Sequence, residues 1–215
     1  MRDQRTEFLA ALLALMPVPE PGGPNLIVGI DGVDGSGKTV LADELATLMP
    51  ACVRVSIDGF HHVRDRRYRR GKTSPEGFWL DSYDYARFRR EVVEPFRRGH
   101  GTYLPFGHDV DSDELLTGPR REVPRGTVLL VDGIFLHRPE LVDVWDLSVF
   151  LDVPFTESVR RMSVRDGLPA DPDAGENARF VGGQKLYLAT CRPADRATIH
   201  VDYGRLDRPR IRRAA

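Results

Sequence analysis

Short unbroken apolar runs alternate along this chain with longer segments of helical spacing. Residues 25–30 form such a run, and 39–49 follow with Leu41, Leu45 and Leu48 on one helical face. The pattern then predicts a second strand over 52–57, a helix over 85–96, a third strand over 127–131 and a fourth over 147–151. Helices are expected over 155–164, after Pro154, and over 178–188, with a last strand over 198–201. Strands without polar alternation are buried on both faces, and strands alternating with helices build a parallel sheet covered on both sides. The fold class is α/β, with no internal repeat.

An apolar helix over 8–16 precedes this pattern. It is followed by a Pro- and Gly-rich stretch over 17–24 that forbids regular structure. The expected division is an N-terminal helix and linker over 1–24 and one domain over 25–215. Two segments, about 61–80 and 101–125, lack periodicity; they are read as irregular insertions walling an acceptor pocket. A length of 215 residues suits one core with such insertions.

Composition narrows the function by exclusion. A formal net charge of -1 argues against a dedicated nucleic-acid binder. No apolar stretch approaches membrane-spanning length, and the first helix lacks the basic flank and cleavage site of a signal peptide, so a cytoplasmic location with no membrane partner is expected. Cys52 and Cys191 show neither metal nor disulfide spacing. The cationic run RDRRYRRGK over 64–72 is either a solvated face or a surface for anions or a partner.

The candidate chemistry begins at Gly32-Val-Asp34-Gly35-Ser36-Gly37-Lys38-Thr39, a complete G-x-x-x-x-G-K-[ST] between an apolar strand and a helix. Its glycines let successive N–H groups face phosphate oxygens, and the helix amino end adds partial positive charge. The expected nucleotide contacts are Gly32, Asp34, Gly35, Ser36, Gly37, Lys38, Thr39 and Val40. Lys38 supplies a charge to the β- and γ-phosphates, and the Thr39 hydroxyl is placed for Mg2+. Asp132 ends the apolar run Val128-Leu-Leu-Val and is the expected second metal-side residue, or else a turn cap. ATP and Mg2+ are the expected cofactors.

Phosphoryl transfer also needs a group that takes the acceptor proton. Asp58, in Ser56-Ile-Asp-Gly-Phe60, falls at the carboxyl edge of the sheet and is the candidate base; a turn residue is the alternative. Asp81, Tyr83 and Asp84 offer acceptors for sugar-like hydroxyls, or an N-cap. Phe60, with Phe78 and Trp79, is a candidate apolar wall or part of the core, and His61 a candidate substrate contact. Arg160, Arg161 and Arg165 follow the fourth strand, where a closing lid over about 155–180 would aim them at the transferring phosphoryl group; surface helix charges are the alternative.

With these motifs, residues 26–202 resemble the uridine kinase, phosphoribulokinase and pantothenate kinase group of P-loop kinases. GVDGSGKT matches its phosphate loop, SIDGF looks like its catalytic-base strand, VLLVDGIF like its metal-side strand, and FLDVPFTESVRRMSVRD is similar to the strand and lid helix of uridine kinases. The resemblance implies a P-loop NTPase fold and an ATP-dependent kinase acting on a small-molecule hydroxyl, a nucleoside such as uridine or cytidine being favoured. It places Asp58 on the base, Asp81 on a ribose-hydroxyl contact and Arg161 or Arg165 on a lid arginine. It also suggests a homo-oligomer. The segments DGFHH and EGFWLDSYD look like pantothenate kinases, so a pantothenate-like or other small alcohol stays open as acceptor. GLPADPDAG over 167–175 stands where uridine kinases carry a further Arg-Gly-Arg element. No Asn-Lys-x-Asp string occurs to specify guanine. A non-catalytic ATP-binding regulator would need the loop and no base.

Overall fold

The computed structural model describes residues 4–214. Five of its strands are parallel neighbours in one sheet: β1 (Leu26–Gly32), β2 (Cys52–Ser56), β5 (Val128–Gly133), β6 (Leu147–Asp152) and β7 (Ile199–Asp202). The strand order is β2-β5-β1-β6-β7, and β8 (Arg210–Ala214) closes the far edge antiparallel to β7. The chain steps to opposite sides of β1 on leaving it, so a crevice opens where the strand order reverses, at the carboxyl edge. The register sets Asp132 between Ser56 and Ile30 at that edge.

Period-two alternation sends successive side chains of these strands into two cores. Ile27, Leu129 and Val131 face an aromatic core with Phe78, Trp79, Phe88, Phe135 and Tyr187. Val28, Ile30, Val128 and Leu130 face the other, where Leu41 and Leu45 of α2 (Lys38–Leu48) meet Phe8 and Leu12 of α1 (Gln4–Leu15). The N-terminal helix thus packs onto the same sheet as the phosphate loop.

The aromatic core is roofed by several short helices: α3 (Arg64–Arg67), α4 (Pro75–Asp81), α5 (Tyr85–Phe88) and α6 (Glu94–Arg98). A π-helical turn, Arg89–Val93, joins the last two, so the helix expected over 85–96 is continuous in path but not in hydrogen bonding. The segment 61–80, expected to be irregular, carries α3 and α4. The amino end of α4 is set by Ser74, whose Oγ accepts from Gly77 N at 3.0 Å, and by Pro75 in the first turn. Within 101–125, β3 (Thr102–Tyr103) and β4 (Arg121–Glu122) pair as a small ribbon. The Gly107 and His108 amides both donate to Gly59 O, at 2.8 and 3.0 Å, and this docks the insertion on the turn after β2. The chain then forms α7 (Phe155–Asp166), α8 (Ala178–Cys191) and α9 (Pro193–Arg196). No helix among the described residues is long and apolar enough to cross a membrane.

Candidate active site

The loop between β1 and α2 is shaped by two left-handed residues, Gly35 (φ 71) and Gly37 (φ 93). At Gly35 space is as restrictive as conformation: a Cβ there would lie 2.3 Å from Ser158 O, because α7 crosses the loop at that point. Lys38 begins α2 and is buried, its Nζ donating to Val33 O at 3.2 Å, and the buried Ser36 Oγ has no protein partner. An ammonium folded against a ring of amides, beside an orphaned hydroxyl, fits a phosphate chain. The Val40 side chain is exposed on the outer side of α2, so only its backbone can serve a ligand in the loop. Asp34 is tied to α8 by Gln184, whose Oε1 accepts from Asp34 N at 2.6 Å and whose Nε2 donates to Asp34 Oδ2 at 3.3 Å. Burial pushes the Asp34 carboxyl up; Lys38 pulls it down and the Asp58 charge adds to the rise.

Directly beneath the loop lies a polar cluster that sequence reading missed. Asp31 Oδ1 accepts from Gly32 N at 2.7 Å, and its Oδ2 accepts the Tyr187 hydroxyl and lies 2.7 Å from His137 Nδ1. His137 Nε2 is 3.0 Å from Ser148 Oγ. All four side chains are buried, so this network fixes the first turn of the loop from below.

On the metal side, Thr39 Oγ1 is 3.2 Å from Asp132 Oδ2. Asp132, only 1% exposed, also receives Arg54 at Oδ1, with Nε at 3.1 Å and Nη2 at 3.0 Å. Burial pushes the Asp132 carboxyl up, Arg54 pulls it down, and the Asp58 charge raises it again. A buried carboxylate touching a loop hydroxyl fits the protein part of a Mg2+ donor set, so Thr39 and Asp132 could hold that ion. Arg54 had no sequence signal; it is one residue of β2 among five.

The acceptor side is built around the exposed Asp58, which ends up next to the loop. Its Oδ1 accepts the Tyr83 hydroxyl at 2.7 Å. Burial, with the Asp58 charge, pushes the Tyr83 phenol well up, so it remains a donor. The Asp58 carbonyl is 2.7 Å from His61 Nδ1, and the His61 ring lies on Tyr83 with centroids 4.4 Å apart. Burial lowers the His61 pKa, which favours the neutral ring despite the pull of Asp58. Asp84 caps α5, its Oδ1 accepting from Arg87 N at 2.9 Å, while Oδ2 lies 3.8 Å from His62 Nδ1.

Two sequence expectations need correction here. Phe60 is 1% exposed and packs edge-on against Phe88 at 5.3 Å, so it is core and cannot line a ligand. The exposed aromatic is Phe106, 54% exposed, which shares a hollow of about 550 Å3 with Asp58, Thr39, Arg54 and Ser56. Asp81 is 1% exposed and its two oxygens are occupied by Arg69 at 2.5 Å and Arg70 at 3.0 Å. Burial opposes its charge, yet these two guanidiniums hold its carboxyl below the usual range. It anchors the basic run and does not face the acceptor hollow.

The lid arginines separate in the same way. Arg161 donates to the carbonyls of Ser36 (2.9 Å) and Gly35 (3.4 Å) and to those of Gly204 (2.8 Å) and Tyr203 (3.2 Å), clamping the outer side of the loop. Arg165 is exposed, paired with Asp166 at 2.7 Å, and its charge also acts on Asp34 and Asp58. Arg160 is exposed beside Glu157.

Glu157 receives both Arg160 and Arg161, at 2.8 and 2.7 Å, and these hold its carboxyl down at about 2. A depressed folded-state value means stability that is present above the unfolded value near 4.5 and lost as pH falls toward 2. After allowance for solvent screening, Glu157→Gln should remove about 1 kcal/mol at neutral pH, and the difference from the parent should vanish near pH 2 in urea titrations. A constant difference across that range would mean Glu157 acts by packing alone.

The strand order, the phosphate loop and the paired Thr39 and Asp132 define a P-loop phosphotransferase. No family model matches the chain. It is 33% identical to mouse nicotinamide riboside kinase 2 over 159 residues, covering 68% of this chain and 71% of that protein. Against human nicotinamide riboside kinase 1 it is 30% identical over 147 residues, covering 67% of each chain. The solved structure of a "possible uridine kinase" from Bacillus stearothermophilus shares the fold with a TM-score of 0.68 and 21% identity, covering 92% of this chain and 96% of that one. The chain belongs to the uridine kinase-like group of P-loop kinases that includes the nicotinamide riboside kinases, and it is a phosphotransferase with an alcohol acceptor.

Proposed function

We propose that this kinase transfers the γ-phosphate of Mg-ATP to a hydroxyl of a nucleoside, and that Asp58 is the base. The observation that carries the reading is the position of Asp58: exposed, oriented by Tyr83, and close enough to act electrostatically on both Asp34 and Asp132. A regulator that only bound ATP would need no such carboxylate. The nucleoside class rests on the nicotinamide riboside kinases to which the chain is similar. A uridine- or cytidine-like acceptor is the finer reading, with a pantothenate-like alcohol as the alternative.

In this scheme Lys38 and the loop amides would hold the β- and γ-phosphates, and Thr39 and Asp132 would hold Mg2+, whose charge would offset that of the phosphate oxygens. Asp58 orients the acceptor hydroxyl and takes its proton; Tyr83 keeps the carboxylate aimed. Phe106 lines the hollow the acceptor would enter, and His61, on the face of Tyr83, stands beside Asp58. Arg165 is the lid arginine, because Arg161 is spent on the loop carbonyls. Arg165→Ala should therefore lower turnover roughly tenfold to a hundredfold with little change in nucleotide affinity. Equal losses in both would return Arg165 to the surface.

The deciding experiment is ADP release from Mg-ATP against uridine, cytidine, nicotinamide riboside, other nucleosides, pantothenate and simple sugars. Turnover that depends on one nucleoside supports the proposal. Turnover with pantothenate or a sugar alone would overturn the nucleoside reading and keep the kinase.

A further inference from the structure

Five of the six cations in the basic run over 64–72 fall into two sets, Arg66 belonging to neither. Arg67, Arg69 and Arg70 turn inward onto Asp113 and Asp81. Arg64 and Lys72 do not; with Arg179 they line a cavity of about 700 Å3 between this run and the amino end of α8. Among the described residues none of these three cations is in an ion pair, although Asp65 and Glu176 stand elsewhere on the same wall.

Arg179 is the unusual member. It is 7% exposed, and its guanidinium meets only carbonyls and rings: Ser74 O and Arg67 O at 3.2 Å, Gly71 O at 3.5 Å, and the faces of Tyr68 and Phe78 at 5.0 and 5.4 Å. A buried charge with no carboxylate in contact is costly to keep: burial pulls the Arg179 pKa down and Arg67 adds to that, while the more distant Asp81 opposes it. Arg64 is likewise satisfied by carbonyls, those of Val110 and Asp111. The positive end of α8, a helix of 14 residues, opens on the same space. Arg64, Lys72, Arg179 and this helix end thus bring positive charge to one cavity, and none of the three side chains is in direct contact with a carboxylate among the described residues.

We propose that this cavity is an anion site separate from the phosphate loop, taking the phosphate or carboxylate of a small metabolite between Arg179, Lys72 and Arg64. The site communicates with the loop through α8. Phe180 lines the cavity, and Gln184, one turn further along that helix, holds Asp34. The basic run is thus a scaffold whose inward arginines fix its shape and whose Arg64 and Lys72 face a ligand. The inference does not depend on the acceptor being a nucleoside.

The test is calorimetric titration of inorganic phosphate into the full chain with the loop saturated by Mg2+ and a non-hydrolysable ATP analogue. One phosphate should bind per chain. Lys72→Glu, an exposed change that leaves the core intact, should weaken it about tenfold or more at an unchanged melting temperature, and Arg179→Gln should abolish it. No binding with the loop filled, or an unchanged affinity in Lys72→Glu, overturns the site even if Arg179→Gln does not fold. Displacement of the phosphate by the acceptor found in the turnover panel would make the anion part of that acceptor; simultaneous binding would make it a separate effector. Either result keeps the site.

Discussion

Asp58→Asn should lower turnover by on the order of a hundredfold or more while Mg-ATP affinity stays nearly intact. Asparagine keeps the size and can still accept the Tyr83 hydroxyl bond of 2.7 Å, so the hollow should keep its shape. What it loses is the capacity to take a proton, and that is needed only as the phosphoryl group arrives. In the proposed scheme nucleotide affinity is set by groups that Asp58 does not touch, namely the loop amides, Lys38 and Thr39. Removing the charge would also relieve Asp34 and Asp132, both of which it pushes up, so Mg2+ affinity should change little. Single-turnover rates and nucleotide titration on the same preparation separate the two quantities. A mutant with the parental rate would remove Asp58 from the chemistry.

Asp31→Ala should cost the fold about 3–5 kcal/mol, a large share of the stability of an ordinary domain. Alanine would leave the Gly32 amide, the Tyr187 hydroxyl and the His137 ring without their common partner, in a place water cannot enter. Tyr187→Phe removes a single donor and should cost about 1–2 kcal/mol. Urea unfolding of the two variants beside the parent gives both figures, and a loss below about 1 kcal/mol in Asp31→Ala would show that the cluster is not a stabilising network. Nucleotide affinity of the folded fraction should fall as well, since Gly32 begins the loop.

The sheet could be read from the sequence because its strands are buried on both faces and leave unbroken apolar runs. Each boundary fell within a residue or two of the run that announced it. Short polar elements left no such trace. In α4 the start signal was in plain sight at Ser74 and Pro75, but the nine cation-rich residues before it carry no apolar period. The edge strand β8 is RIRRA, whose exposure leaves nothing for a burial pattern to report.

The site followed the same rule. The placement of the loop residues from Gly32 to Thr39, and of Asp58 and Asp132 near strand ends, was legible because position along the chain fixes it. Residues whose place depends on the tertiary path were not. Asp81 looked like a hydroxyl ligand until Arg69 and Arg70 were found on it. Phe60 and Phe106 exchange places, since only the docking of the 106–108 turn on Gly59 decides which aromatic stays outside. Gln184, which holds Asp34 from a helix 150 residues away, carried no signal at all.

The clamp formed by Arg161 sets a mechanical limit on the helix that carries it. One guanidinium bridges the phosphate loop and the 203–204 turn, so the midpoint of α7 travels with the loop and cannot swing as part of a rigid flap. Motion is left to the stretch beyond that pin, where Gly167 at φ 73 releases the chain into 168–174. Arg165 sits one turn past the pin, a lever of about 6 Å. The arginine proposed to face the transferring phosphoryl group is thus carried on a short, anchored arm, and closure would consist of a small adjustment in its reach.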